Sequence, residues 1–278
     1  MTKRGSDWFS TTAESHWRLY RKRLKACRKQ HTEDAVHKLR IATRRLLALV
    51  DLLRQLAPQA GLRKLRNSLK NQLNGFDELR DTQVMRLEIE TRVGQLPELT
   101  EFMHHLHIEE QRLLMQSPVF IASLPSGKLR RKLSKAIRAC RQQQDGDELA
   151  DRIAAALDSL YQTALARFHA ADPAQLATLH KLRIALKKLR YSIMLAEPLL
   201  PPLPEDHLTR MQRHLTRLGD IQNAAVLTDH LKHFGNDESA ANYYTQHLRD
   251  LITDYQTHQG EITAFWRASP EQIFPWRN

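Results

Sequence analysis

Six consecutive residues occur twice in this chain. His37-Lys38-Leu39-Arg40-Ile41-Ala42 returns as His180-Lys181-Leu182-Arg183-Ile184-Ala185, an offset of 143. A second block follows in near register: Phe76, Leu79 and Val84 match Leu218, Ile221 and Val226 at an offset of 142. The apolar positions that lead there also align, Leu69, Leu73 and Phe76 with Met211, Leu215 and Leu218. Two matching blocks in one register are not expected by chance, and the period is far too long for a solenoid of short repeats. The chain therefore reads as two copies of one unit.

The unit is helical. Apolar residues recur at helical spacing almost throughout, and no stretch keeps the alternation of a strand. The pattern predicts helices over 10–30, 33–57, 59–94 (bent near Gly75), 98–116, 125–143, 147–171, 173–199, 205–234 and 238–267. Asp172-Pro173 supplies a capping residue and a proline at a first helical position, and Pro201-Pro202-x-Pro204 stops a helix. Segments 117–127 and 142–147 are the candidate internal linkers. The expected fold is all-α, two four-helix bundles related by a pseudo-two-fold.

Composition narrows the partner. The 43 Lys and Arg outnumber the 31 Asp and Glu, giving a formal charge of +12. Residues 1–142 hold 29 basic and 14 acidic side chains, against 14 and 17 in residues 143–278. A field concentrated in one half points to an acidic partner, by steering and by displacement of its counterions. No apolar run reaches membrane-spanning length, and the N-terminus lacks the apolar core of a secretory signal. Cys27 and Cys140 have no metal-type spacing. The expected location is the cytoplasm, with no membrane partner.

The repeated motif places that charge. On a helix His37, Arg40 and Arg44 fall within about 60° of one another, flanked by Arg45, with Leu39, Leu46 and Val50 opposite. His180, Arg183, Lys187 and Arg190 build the same stripe over Leu182 and Leu189. Like charges four apart weaken a helix, so an anion lying between them would offset the repulsion. Arginine's planar fork suits phosphate oxygens, and lysine adds a point charge. Further rows contribute Arg21 and Arg28 (with Arg18 and Lys25), Lys70 (with Arg63 and Arg66), and Arg131 and Lys135 (with Lys128 and Arg138). For each row alone, solvated surface and ligand contact explain the pattern equally well.

The doubled His-x-x-Arg-x-x-x-Arg/Lys pattern resembles the CHAD family, the conserved histidine α-helical domain. So do Arg80-Asp81-x-x-Val84 after the first copy and Leu218-Gly219 with Val226 after the second. The likeness runs over residues 7–275, with one helical repeat over about 7–142 and the other over about 147–275. It implies two four-helix bundles facing each other across a basic cavity that binds inorganic polyphosphate, often at polyphosphate granules. It also implies that His37, Arg40, Arg44, His180, Arg183, Lys187 and Arg190 line that cavity. Two positions depart from the family pattern: Leu47 stands where many relatives carry a base, and Asn223 where the first copy has Asp81. Glu88-x-Glu90-x-Arg92 resembles the acidic motif of the triphosphate-tunnel domain that many relatives also carry, but it lies in a helical stretch.

Other chemistry finds less support. No glycine-rich phosphate loop, nucleophile elbow or convergent carboxylate set occurs, so no enzyme activity and no cofactor are expected. His104-His105-x-His107-x-Glu109 and His230-x-x-His233 read as exposed helical histidines rather than metal ligands, and the motif histidines sit among cations that repel a metal ion. The competing readings are a non-specific nucleic-acid binder, a metal-binding protein, or a granule-coat adaptor that meets proteins of polyphosphate metabolism. The basic stripes lack the aromatic and amide side chains that stack on or read bases.

Overall fold

Apolar rows at helical spacing become helices wherever a partner covers them. The computed structural model describes residues 3–56, 58, 60–124, 127–142, 146–200, 202–235 and 238–266, and among these it contains helices and no strand. The helices are α1 (Lys3–Lys29), α2 (Glu33–Leu56), α3 (Ala60–Asn74), α4 (Asp77–Arg92), α5 (Thr100–Ser123), α6 (Gly127–Gln142), α7 (Gly146–His169), α8 (Leu176–Ala196), α9 (His207–Phe234) and α10 (Glu238–His258). Short 3-10 turns occupy Pro97–Leu99, Glu197–Leu199 and Gln259–Ala264. The expected all-α class is what the chain adopts.

Three boundaries differ from the sequence reading, each for a local reason. The expected single helix 59–94 is two helices, because the chain turns at Gly75 and Phe76. Phe76 packs edge-on against Phe120, and a methyl group at Gly75 would overlap the Phe120 ring. The expected linker from residue 117 is instead helix through Ser123, with Pro118 inside it. Proline has no N–H for the carbonyl four residues back. Here the Ser117 hydroxyl donates to that carbonyl, Leu114 O, at 2.8 Å, so the helix continues without an orphaned acceptor. Asp172-Pro173, expected to start α8, forms a separate turn: Asp172 Oδ1 accepts from the Ala174 N–H at 2.9 Å, and α8 begins at Leu176. Gly235 ends α9 at the boundary expected after residue 234, in the left-handed conformation (φ 81°) with its N–H on Leu231 O.

The chain divides into two compact units. One takes Met1–Asp77, Leu114–Ser159 and Tyr191–Pro202; the other takes Glu78–Leu113, Leu160–Arg190 and Leu203–Asn278. In the first unit α1, α2, α3 and α6 pack on one another. Its centre is Trp17, Tyr20, Leu39, Leu46, Leu49 and Leu69, all buried. A polar chain threads this core: the Tyr20 hydroxyl donates to Gln72 Oε1 (3.0 Å), Gln72 Nε2 donates to the Thr43 hydroxyl (3.1 Å), and Thr43 donates to Leu39 O (2.8 Å). Every member has a partner, so the polar atoms fix the register of α1, α2 and α3 without leaving a desolvated donor.

In the second unit α4, α5, α9 and α10 meet through Met85, Ile89, Phe102, Leu106, Leu227, Leu231 and Tyr244. Farther along α9, His214 is fully buried between the edges of Tyr255 and Phe265. Burial holds its imidazole down at about 4; the Glu261 carboxylate pulls upward, and Arg217 and His258 push down again. A histidine whose folded pKa lies below its unfolded value stabilises the fold above the unfolded pKa, and that contribution is lost as pH falls toward the folded one. We predict that stability declines between pH 6.5 and about 4 in urea titrations followed by circular dichroism, and that His214→Phe removes part of that decline. An unchanged pH profile in the variant would show that His214 is not responsible.

Candidate basic surface

Counted over each unit's sequence segments, the first unit has 26 Lys and Arg against 12 Asp and Glu, and the second has 17 against 19. The charge asymmetry read along the sequence is therefore also an asymmetry between folded units.

The first unit contains His37, Arg40, Arg44 and Arg45 on α2, Arg21 and Arg28 on α1, Lys70 on α3, and Arg131 and Lys135 on α6. His37, Arg45, Arg21, Lys70, Arg131 and Lys135 are exposed and Arg44 is half-buried. Arg28 is exposed but donates to Leu124 O at 2.9 Å, so it also closes the end of α5. Burial lowers the His16 imidazole on α1, and the Arg45 guanidinium on α2 lowers it further; the α2 stripe is thus felt on the neighbouring helix.

Arg40 departs from the expected accessible stripe. It is only 5% exposed, and its guanidinium donates to Leu73 O (2.9 Å) and to Asp77 Oδ1 (3.0 Å). A helical wheel places Arg40 with His37 and Arg44, but the end of α3 and the start of α4 come down over it. In that position Arg40 ties two helix ends to α2 and does not present its charge to solvent.

The second unit contains His180, Arg183, Lys187 and Arg190, all on α8. His180 is exposed, and its Nδ1 lies 2.9 Å from Gln222 Oε1. With that oxygen as acceptor, Nδ1 carries the hydrogen, so the imidazole offers a second donor, at Nε2, only when protonated. Arg190 Nε donates to Leu208 O at 3.3 Å. Arg183 is half-buried and lies across Gly219, whose missing β-carbon would stand 3.0 Å from the guanidinium. In the second repeat block Gly219 occupies the position of Asp77. The Asp77 position is thus a glycine in the second copy, and the Arg183 guanidinium acts on the neighbouring Asp220 carboxylate.

Asp220 borders a cleft of about 460 Å³ between α4, α9 and α10 that includes Glu88, His247 and Tyr244. Burial raises the Asp220 carboxyl; Arg183 pulls it down and Glu88 pushes it up. This cleft was not visible in the sequence, although its Glu88 belongs to the Glu88-x-Glu90-x-Arg92 motif noted there as lying in a helical stretch. Among the described residues no group of three His, Cys, Asp or Glu is placed to hold a metal ion, and no helix is long and apolar enough to cross a membrane. Burial pushes the Cys27 thiol up to about 11, away from reactive thiolate; the Cys140 side chain lies outside the described residues. Ile108 of the second unit, and Met115 and Val119 of the first, are exposed apolar residues of α5.

The sequence profile described as the CHAD domain matches residues 11–232 of this chain. Among solved structures, the crystal structure of the CHAD domain from the plant Ricinus communis superposes with a TM-score of 0.69. The two are 18% identical, and the match covers 99% of this chain and 95% of that one. No curated protein matches the sequence.

The contrast between the two motif arginines is testable. Arg40→Ala is expected to lower the unfolding free energy by about 1–3 kcal/mol, because it removes a buried guanidinium with two partners. Arg40→Lys should recover little, since one ammonium cannot reproduce the fork. Arg44→Ala should stay within about 0.5 kcal/mol of the parent. Urea midpoints measured side by side check all three, and an Arg40→Ala midpoint equal to that of Arg44→Ala would refute the structural role of Arg40.

Proposed function

The chain belongs to the CHAD domain family, and from that premise we propose that it binds inorganic polyphosphate through the basic surface of its first unit, with a second contact on α8. One observation carries the reading. Arg21, Arg44, Arg45, Lys70, Arg131 and Lys135, carried on α1, α2, α3 and α6, take part in no ion pair among the described residues, so their charge is left for an external anion. A flexible chain carrying a negative charge on every phosphate could engage these cations from several helices at once and release its own counterions. A compact anion reaches only a few of them.

In this proposal Arg44, Arg45 and His37 contact the polymer directly, and Arg40 acts from below by holding α2 against α3 and α4. His180, Arg183, Lys187 and Arg190 form the α8 contact in the second unit. The role is binding rather than catalysis. Attachment to polyphosphate granules in the cytoplasm, and meetings there with proteins of polyphosphate metabolism, would follow from that affinity.

The test is titration of labelled long-chain polyphosphate at several salt concentrations. Affinity should fall steeply, with a log–log slope of about −3 or steeper if four or more phosphates are contacted. Arg44→Glu with Arg45→Glu should weaken binding more than roughly tenfold with helix content unchanged. DNA at equal phosphate concentration should compete poorly. A flat salt response would count against an electrostatic surface, and equal competition by DNA would favour a general nucleic-acid binder.

A further inference from the structure

After α10 the chain folds back over the second unit. Gln259–Ala264 form a 3-10 turn, and with Phe265 and Trp266 they make a short strap packed on α9 and α10. Ile262, Phe265 and Trp266 of the strap are buried. The Tyr161 hydroxyl on α7 donates to Thr263 O at 3.0 Å, and Glu261 pairs with Arg217 of α9 at 3.3 Å. These few attachments hold the strap down. The central cluster of the unit, from Met85 and Ile89 to Leu227 and Tyr244, includes no strap residue and can outlast its release.

Beneath the strap lie two histidines seven residues apart on α9, and so on one face. His214 is fully buried, with ring centroids 5.5 Å from Tyr255 of α10 and 5.3 Å from Phe265 of the strap. Neither of its ring nitrogens has a hydrogen-bond partner among the described residues. His207 is also buried and hydrogen-bonds to the Phe265 backbone. The charged groups that act on His214 are Glu261 of the strap, 3.9 Å from Nδ1, Arg217 of α9 and His258 at the end of α10. Those that act on His207 are Arg210 and Asp206. Glu261 favours a charge on His214, but Arg217 already engages that carboxylate, and burial outweighs it. Burial likewise holds the His207 imidazole below the ordinary histidine range, with Arg210 adding to the effect. Once the strap lifts, both rings meet water and can be charged as exposed histidines are.

We infer that residues 259–266 are an acid-released strap, which proton uptake by His207 and His214 lifts from α9 while the helices of the unit stay folded. The open form binds protons more tightly than the closed one. The closed form is therefore fully favoured above pH 6.5 and loses ground as the pH falls toward about 4, where His214 titrates in place. Each histidine shifts the equilibrium by up to about tenfold per pH unit, and His214 alone by roughly a hundredfold or more across that window. The device needs no ligand and stands whether or not the basic surface binds polyphosphate.

Hydrogen exchange of the full chain, followed by mass spectrometry from about pH 7.5 to 4.5 and corrected for intrinsic rates, tests it. In the parent, protection of peptides covering 259–266 should fall roughly tenfold or more per pH unit below pH 6.5, while α4 and α5 exchange more slowly at every pH. His214→Phe keeps a ring between Tyr255 and Phe265 and removes the titration, so the fall should become shallower. Adding His207→Gln should flatten it. Tyr161→Phe removes an anchor without touching the histidines, so the strap should open several-fold more at every pH with the slope of the parent. The inference is overturned if strap protection is independent of pH, if it is lost in step with α4 and α5, or if the slope survives in the double variant. Should the double variant fail to fold, His214→Phe decides alone, since an unchanged slope there overturns the inference.

Discussion

A helix that carries cations at every turn repels itself, and in this chain the repulsion is accepted repeatedly within one compact unit. The neighbours on α1, α2, α3 and α6 are themselves basic, so the field of one row reaches the next, as the depressed imidazole of His16 beside Arg45 shows. What keeps the unit folded is beneath that surface: a well-filled apolar centre and a fully partnered chain of Tyr20, Gln72 and Thr43. The arrangement separates two tasks. Cohesion comes from groups that never meet solvent, and the outer charges are left to answer to whatever anion is present.

The motif arginines show how one sequence pattern can serve both tasks. Arg40 and Arg183 stand in identical six-residue contexts, yet Asp77 and Leu73 O engage the first, while Gly219 passes beneath the second. The difference lies about 37 residues downstream of the motif, in the helix that packs on it, so the motif alone could not reveal it.

Much of the fold could be read directly from residue patterns. Helix period, the Gly235 stop and the two copies of the motif depend on local spacing, and local spacing survives folding intact. The misreadings occurred where a non-local or compensating contact decides the outcome. Residues 117–123 read as linker because the sequence does not announce that Ser117 will satisfy the carbonyl that Pro118 strands. Asp172 looked like a helix cap because its turn closes first on Ala174. The basic positions were legible as residue types at helical spacing, but exposure was not: Arg44 and Arg40 look equivalent on a wheel, and the end of α3 with the start of α4 separates them. The covering of His214 by Phe265 could not have been found in this way, since nothing in the local spacing of α9 announces the segment that returns over it.

The interleaving of the two units has a consequence for how the chain is made. Segments of α5, α7 and α8 are divided between them, and the first unit includes Tyr191–Pro202, far beyond its other helices. During synthesis the N-terminal stretch through Asp77 emerges long before the pieces that complete its unit. Multidomain chains usually fold from the N-terminus one unit at a time. In this chain the segments that complete each unit are interleaved along the sequence, so neither unit is finished before part of the other has been made. α1, α2 and α3 can pack on one another as they emerge, but α6 and residues 191–202, which complete their unit, follow only after a long stretch of the other unit has been made.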